Sequence, residues 1–210
     1  MTVGARLLSL VGDNEALEGL ADQLDAVATV QGFPHWHANG MFFRGWVKVK
    51  NREVAEGISL LRSGSVAYRA TGAELWMPHY TTLLAGACEI AGQVEEASTL
   101  LEEALQIGER TGKRWFAAEL NRLKGQLLLR QGHSDVAEEF YRKALNIAEE
   151  QEAKLWELRA AASLARLRRD QGRRAEARAL LAPVYGWFTE GFATSDLKEA
   201  KALLDELGGA

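Results

Sequence analysis

The sequence predicts an all-α fold, a right-handed α–α superhelix of about four 40-residue helix pairs with a partial pair before them and a capping helix after. Three series of residues carry this expectation, each recurring every 40 positions: Ala5, Gly45, Ala85, Gly125 and Ala165; Gly57, Ala97, Ala137 and Ala177; and the rings Trp36, Trp76, Phe116 and Trp156. Small residues held in register at a long fixed period are the signature of a helical solenoid rather than of one closed core. Composition agrees: the 210 residues contain only 3 prolines and are rich in Ala, Leu, Glu and Arg, which favour helix.

The elements follow in order from the turns. Gly12, Gly92, Gly132 and Gly172 align, with Arg52 as the exception; Gly32, Gly72 and Gly112 form a second set, with Glu152 and Phe192 as departures. A glycine just past a helix caps it, because it takes the left-handed conformation without steric cost. Two turns per 40 residues divide the chain into helices near 3–11, 13–31, 34–50, 53–71, 74–91, 93–111, 114–131, 133–151, 154–171, 173–190 and 195–207. The expected organisation is one domain over 1–210, with a partial repeat 1–32, repeats 33–72, 73–112, 113–152 and 153–192, and a capping helix 194–207. The chain begins inside the first helix of a pair, which suggests a fragment or an array that continued upstream. Pro34 and Pro78 fall in first turns, where no amide partner is lost. Pro183 falls inside a helix, removes the bond to the Ala179 carbonyl and predicts a kink. The last helix opens on Thr194, Ser195 and Asp196, good capping residues, and carries the stripe Leu197, Leu203, Leu204, Leu207.

The small residues have a packing reason. Where two antiparallel helices cross closely, a Gly or Ala on each lets the backbones approach. Leucines and rings such as Leu84, Leu101, Leu127, Tyr141 and Leu164 then fill the space between them. Each fully buried Leu contributes roughly 1.5 to 3 kcal/mol. One pair cannot bury both its faces, so neighbours must stack.

These positions resemble the tetratricopeptide (TPR) repeat. One repeat reads Leu84-Ala85, Gly92, Ala97, Leu101, Ala104, and the next reads Gly125, Gly132, Ala137, Tyr141, Ala144. The period departs from the usual 34 residues, the usual Pro at the repeat end is missing, and the first full repeat carries Arg44, Lys48 and Gly64 where apolar residues or Ala are common. The segments GFPHW (32–36), YRATGAELW (68–76), ERTGKRW (109–115), ELNRLKGQLLL (119–129) and the block 158–207 resemble the C-terminal helical-repeat region of large bacterial signalling proteins. Those proteins join a class III adenylate/guanylate cyclase or a DNA-binding domain to an AAA-type ATPase and then to such an array. The resemblance implies a cytoplasmic sensor or scaffold piece acting for an upstream ATPase, cyclase or transcriptional regulator. The chain itself has no GxxxxGK[ST] phosphate loop and no suitably placed catalytic aspartates.

Composition narrows the class of function. Net charge is -4, so nothing global points to nucleic acid or to an anionic membrane. No stretch approaches the roughly 18 to 20 apolar residues that a membrane helix needs, and the start is a poor secretory signal. The single cysteine, Cys88, excludes an internal disulfide framework and Cys-cluster zinc sites, and suits a reducing compartment.

Carried over from the TPR fold, the concave groove is lined by the first helix of each pair, called helix A below. The groove candidates are Asn39, Phe42 and Trp46 in the first full repeat, His79 and Thr82 in the second, Glu119, Arg122 and Gln126 in the third, and Arg159, Arg166 and Arg169 in the fourth. Such a groove runs from aromatic to arginine-rich. Guanidinium forks match carboxylates and phosphates, so the expected ligand is a protein segment or a small anionic effector. The alternative is a solvated face whose arginines pair with nearby glutamates. Arg159→Glu with Arg166→Glu is expected to leave the fold intact. The ring ladder reads as inter-repeat packing, with an aromatic rim on the groove as the alternative. His35 and His37 lie on different helix faces and make no metal site. No nucleophile, base and orienter set is present, so the chain is expected to be non-catalytic, without cofactor or metal. The second reading is structural: the array self-associates as a homodimer through its N-terminal helix or exposed rings.

Overall fold

The computed structural model describes residues 1–112 and 114–209. Among the described residues there are eleven α-helices and no strand. The chain divides into two compact units, Met1–Lys113 and Arg114–Ala210. The first holds α1 (Thr2–Val11), α2 (Asn14–Gln31), α3 (Pro34–Lys50), α4 (Val54–Ala70), α5 (Met77–Ile90) and α6 (Val94–Thr111). The second holds α7 (Ala117–Arg130), α8 (Ser134–Glu150), α9 (Lys154–Asp170), α10 (Arg174–Gly186) and α11 (Ser195–Gly208). No helix is long and apolar enough to cross a membrane, among the described residues.

The turns explain the register. Gly12, Gly92, Gly132 and Gly172 all have φ between 77° and 86°. Arg52 and Glu152, the departures from the glycine pattern, take the same left-handed conformation at φ 70° and 53°. The backbone geometry is therefore set by the helix pairing and not by the residue. At the remaining departure the turn shifts by one, and Gly191 rather than Phe192 has positive φ (77°).

Three helix ends differ from the sequence expectation by more than one residue. α5 and α7 start at Met77 and Ala117, three residues late, because short turns precede them and put Trp76 and Phe116 at the N-caps. α10 ends at Gly186 instead of 190. Pro183 lies inside it and withholds one amide from the ladder; the helix stops within a turn of it rather than continuing beyond a kink.

Helix pairs cross where the small residues predict. A Cβ on Gly57 would stand 2.6 Å from the Gly45 carbonyl oxygen and 2.5 Å from Val49 Cγ2. A Cβ on Gly125 would stand 2.8 Å from the Tyr141 ring and 3.1 Å from the Ala137 oxygen. In the first unit a ring cluster fills the core: Phe42 stacks on Tyr80 at 4.1 Å, and Tyr68 meets both rings edge-on. In the second unit Ala144, Leu158, Ala161, Ala165, Ala177 and Leu181 join Leu197, Ala200, Leu203 and Leu207 of α11 in one core. Cys88 is buried within α5.

α11 packs on α9 and α10 as α5 packs on α3 and α4. It is thus a helix A in its own right. Its Leu203 and Leu207 stand two positions before and two after the small-residue register, as do Phe43 and Val47, Leu83 and Ala87, and Ser163 and Leu167, all of them buried. The same positions on α1 are Val3 and Leu7, and these are 67% and 57% exposed.

Candidate functional site

In the first unit the helix-A residues converge on a buried cluster. Ala5 sits in the small-residue register and is fully buried, and the next residue, Arg6, is only 7% exposed. Its Nε donates to the Tyr80 hydroxyl at 3.1 Å and its Nη2 to Asn39 Oδ1 at 3.0 Å. The Tyr80 hydroxyl donates to the same Asn39 oxygen, and Asn39 Nδ2 donates to the His35 carbonyl at 2.6 Å. The guanidinium lies 4.2 Å over the Trp76 ring. Next to it, the Ser9 hydroxyl donates to the Arg6 carbonyl at 2.8 Å and stands 3.0 Å from His79 Nε2. Three helices supply this cluster: α1 gives Arg6 and Ser9, α3 gives Asn39, and α5 gives His79 and Tyr80.

The electrostatics are one-sided. Arg6 is paired only with neutral groups and a ring; among the described residues no carboxylate is paired with it. Burial, and after it the Arg6 charge, lowers the His35 pKa. Burial raises the Tyr80 pKa far above the ordinary phenol value, with Arg6 acting against it.

The groove candidates of this unit separate into two groups. Asn39 and His79 belong to the cluster. Phe42 is a core ring, buried and stacked on Tyr80. Thr82 is buried and donates back to the His79 carbonyl at 2.6 Å. Trp46 stays partly accessible, laid over Gly86 with the Lys50 ammonium 4.4 Å from its ring.

In the second unit the helix-A candidates form an ion network. Arg122 reaches Glu119 with two 2.7 Å hydrogen bonds and donates to Gln126 at 3.2 Å. Arg159 stands 3.5 Å from Glu119 and grips Asp196 of α11 with bonds of 2.7 and 2.8 Å. Burial works against the Glu119 charge, yet the guanidinium groups of Arg122 and Arg159 hold its pKa below the usual carboxylate range. The Arg122 and Arg159 pKa values are raised, their carboxylate partners outweighing burial. Arg166 and Arg169 extend the row, pairing with Glu199 and Glu206 of α11 at 2.8 Å each. The arginines thus meet acids of the same chain, most of them on the capping helix. Double charge reversal at Arg159 and Arg166 would oppose Asp196 and Glu199, so the expectation that it leaves the fold intact is corrected here.

The ring ladder serves different ends. Phe116 and Trp156 pack edge to face at 5.3 Å in the second unit, Trp76 carries the Arg6 guanidinium, and Trp36 is exposed. Sequence reasoning missed Arg6, Tyr80 and the α11 acids. A signal for Arg6 existed: it precedes Trp46, Gly86, Gln126 and Arg166 by whole periods, the same register as three chosen groove positions.

Residues 78–150 match the family model described as tetratricopeptide repeat. An uncharacterized protein of Rhizobium meliloti (strain 1021) is 32% identical over 114 residues, 54% of this chain. That stretch spans 11% of the curated relative. Among solved structures, BtubC (BKLC) from P. vanneervenii superposes with a TM-score of 0.67 at 14% identity, covering 94% of this chain and 88% of that one. A Rap protein complexed with competence and sporulation factor gives 0.67 at 14% identity, over 97% and 61% of the two chains. A putative kinesin light chain from Podosopora anserina with nearly identical TPR-like repeats gives 0.57 at 19%, over 100% and 95%. The fold is therefore an all-α helical-repeat solenoid of the TPR-like class.

Proposed function

We propose that the chain is a non-catalytic binding module that takes a segment of a partner protein along its helix-A face and serves as the sensor or scaffold piece of a larger cytoplasmic regulator. The observation that carries this reading is the convergence of Arg6, Asn39 and His79 from three successive A helices, a polar cluster that packing alone does not require. The resemblance of the flanking segments to signalling arrays supports an ATPase, a cyclase or a transcriptional regulator as the body it serves. The structural likeness to a Rap protein complexed with competence and sporulation factor is in keeping with a ligand held by such repeats. A photo-crosslinking residue placed at Trp46 on helix A should capture a partner in native extract, while one at exposed Val66 on α4 should not. Equal capture from both positions, or none from Trp46, would sink the helix-A assignment.

A second reading rests on α1. Val3 and Leu7 are exposed at positions that are buried on α3 and α5, and they offer a contact for self-association. A sedimentation coefficient that rises with concentration, and stops rising in Val3→Glu with Leu7→Glu, would favour it.

A further inference from the structure

We infer that Arg142, Arg168 and Arg173 of the second unit form a site for a phosphate group, presented by a small phosphate ester or by a phosphorylated residue of a partner segment. The site lies apart from the groove candidates and goes beyond the reading above. On α9, Arg166 and Arg169 meet acids of α11, whereas Arg168 reaches the other way, to Glu138 of α8. Glu138 is 13% exposed and is shared by three guanidinium groups. Arg142 donates to its Oε1 from Nε at 3.2 Å and from Nη2 at 2.6 Å. Arg173 donates to both of its oxygens from Nη1, at 3.3 and 3.2 Å. A carboxylate offers about four acceptor positions, and these bonds fill them. Arg168 is left over: its Nε stands 3.9 Å from Glu138 Oε1, buried and without a hydrogen-bond partner among the described residues. Other largely buried arginines of this unit have an acid of their own at hydrogen-bond distance, Arg122 in Glu119 and Arg159 in Asp196.

The charge of the cluster selects the ligand. Its second acid, Glu176, is 54% exposed and pairs with Arg173 at 3.1 and 2.7 Å. The Glu176 carboxyl is held below the usual range by Arg173 first, against burial, with the fields of Arg168 and Arg142 adding. Three guanidinium groups therefore face two carboxylates and leave one positive charge over. The cluster also sits at the start of α10, where Arg173 is the N-cap, and a helix start adds about half a positive charge. A phosphate monoester carries about 1.5 to 2 negative charges at neutral pH, which matches that sum. Arg142 spends only Nε and Nη2 on Glu138, so its Nη1 protons remain for the ligand. Guanidinium groups that arrive from two helices and a turn surround a tetrahedral oxyanion; a planar carboxylate is satisfied by one fork.

The test measures melting temperature and calorimetric affinity of the full chain against inorganic phosphate, sodium acetate and sodium chloride at matched ionic strength. Phosphate should raise the melting temperature saturably; acetate and chloride should not. Arg168→Met keeps the aliphatic stem and should melt no lower than the wild type without phosphate, yet bind phosphate about tenfold more weakly. Glu176→Gln frees Arg173 and should bind phosphate about threefold more tightly. Arg166→Met, in the row that α11 already matches, should bind as the wild type does. A heptapeptide with a central phosphoserine, compared with inorganic phosphate, separates the sources. Tighter binding of the peptide points to a phosphorylated partner segment, and equal or weaker binding to a free phosphate ester. The proposal is overturned if Arg168→Met is clearly destabilised in the absence of ligand, if phosphate acts equally on wild type and Arg168→Met or on neither, or if acetate binds as tightly as phosphate. Capture at Trp46 is read separately, so the helix-A reading stands or falls apart from this site.

Discussion

Arg52 and Glu152 occupy left-handed turns that glycine fills at the equivalent positions of other repeats. A side chain there costs roughly 1 kcal/mol. Arg52→Gly and Glu152→Gly are each expected to stabilise the protein by about 0.5 to 1 kcal/mol, read as a rise in the urea midpoint without a change in slope. Glu119 is expected to behave in the opposite way. Glu119→Gln leaves Arg122 and Arg159 without their shared acid and should cost about 3 to 5 kcal/mol at neutral pH. The folded-state pKa of Glu119 is depressed, so its stabilisation is complete above the unfolded value of about 4.3 and is lost as pH falls through the lower folded value. In denaturant titrations of both proteins the gap should therefore begin to narrow as pH falls below about 4.3; a constant gap down through the folded-state transition would contradict the assignment. At this scale the sequence was partly readable. The 40-residue register put Asn39, His79, Glu119 and Arg159 on helix A, where the structure has them. It could not say that Phe42 turns into the core or that the arginines find acids on α11, because both depend on contacts between elements distant in sequence.

The helix pair is the element that the small-residue ladder specifies, and its tolerance can be measured. Gly57→Ala would push a methyl against the Gly45 carbonyl and the Val49 backbone, neither of which can rotate away. We expect a loss of about 1 to 3 kcal/mol, and more for Gly125→Leu against Tyr141. Gly19, inside α2 with nothing near its missing Cβ, is the internal control: Gly19→Ala should gain about 0.5 to 1 kcal/mol from helix propensity. Thermal melts of the three variants give the comparison, and equal effects at Gly57 and Gly19 would refute close crossing. Most helices were legible to within a residue or two, since caps and period coincide. The late starts of α5 and α7 were not, because Trp76 and Phe116 can sit in a helix as easily as cap one. Tertiary packing of those rings decides.

For the molecule as a whole, the fold class was readable because a period of 40 residues states it several times over. The function was readable only as far as a binding surface, since a groove is an arrangement of faces while a ligand is a matter of which charges remain unmatched. The second unit relies on α11 for both core and charge. Deleting residues 194–210 should deprotect the amides of α9 and α10 in hydrogen exchange, since Leu197, Leu203 and Leu207 leave their core and Asp196 leaves Arg159. Protection that is unchanged would mean that α11 is dispensable.

α11 has a further consequence, for how such a chain can change its copy number. Its buried side repeats the docking side of α3, α5 and α9, whereas Lys201 and Asp205, paired with one another, stand where α9 has Ala161 and Ala165 in the core. A helix added beyond α11 would have to strip water from that ion pair, but a whole 40-residue pair inserted before α11 would meet Leu203 and Leu207 in register. Duplication and loss are therefore cheap upstream of this helix and costly past it, and the array has a preferred direction of growth.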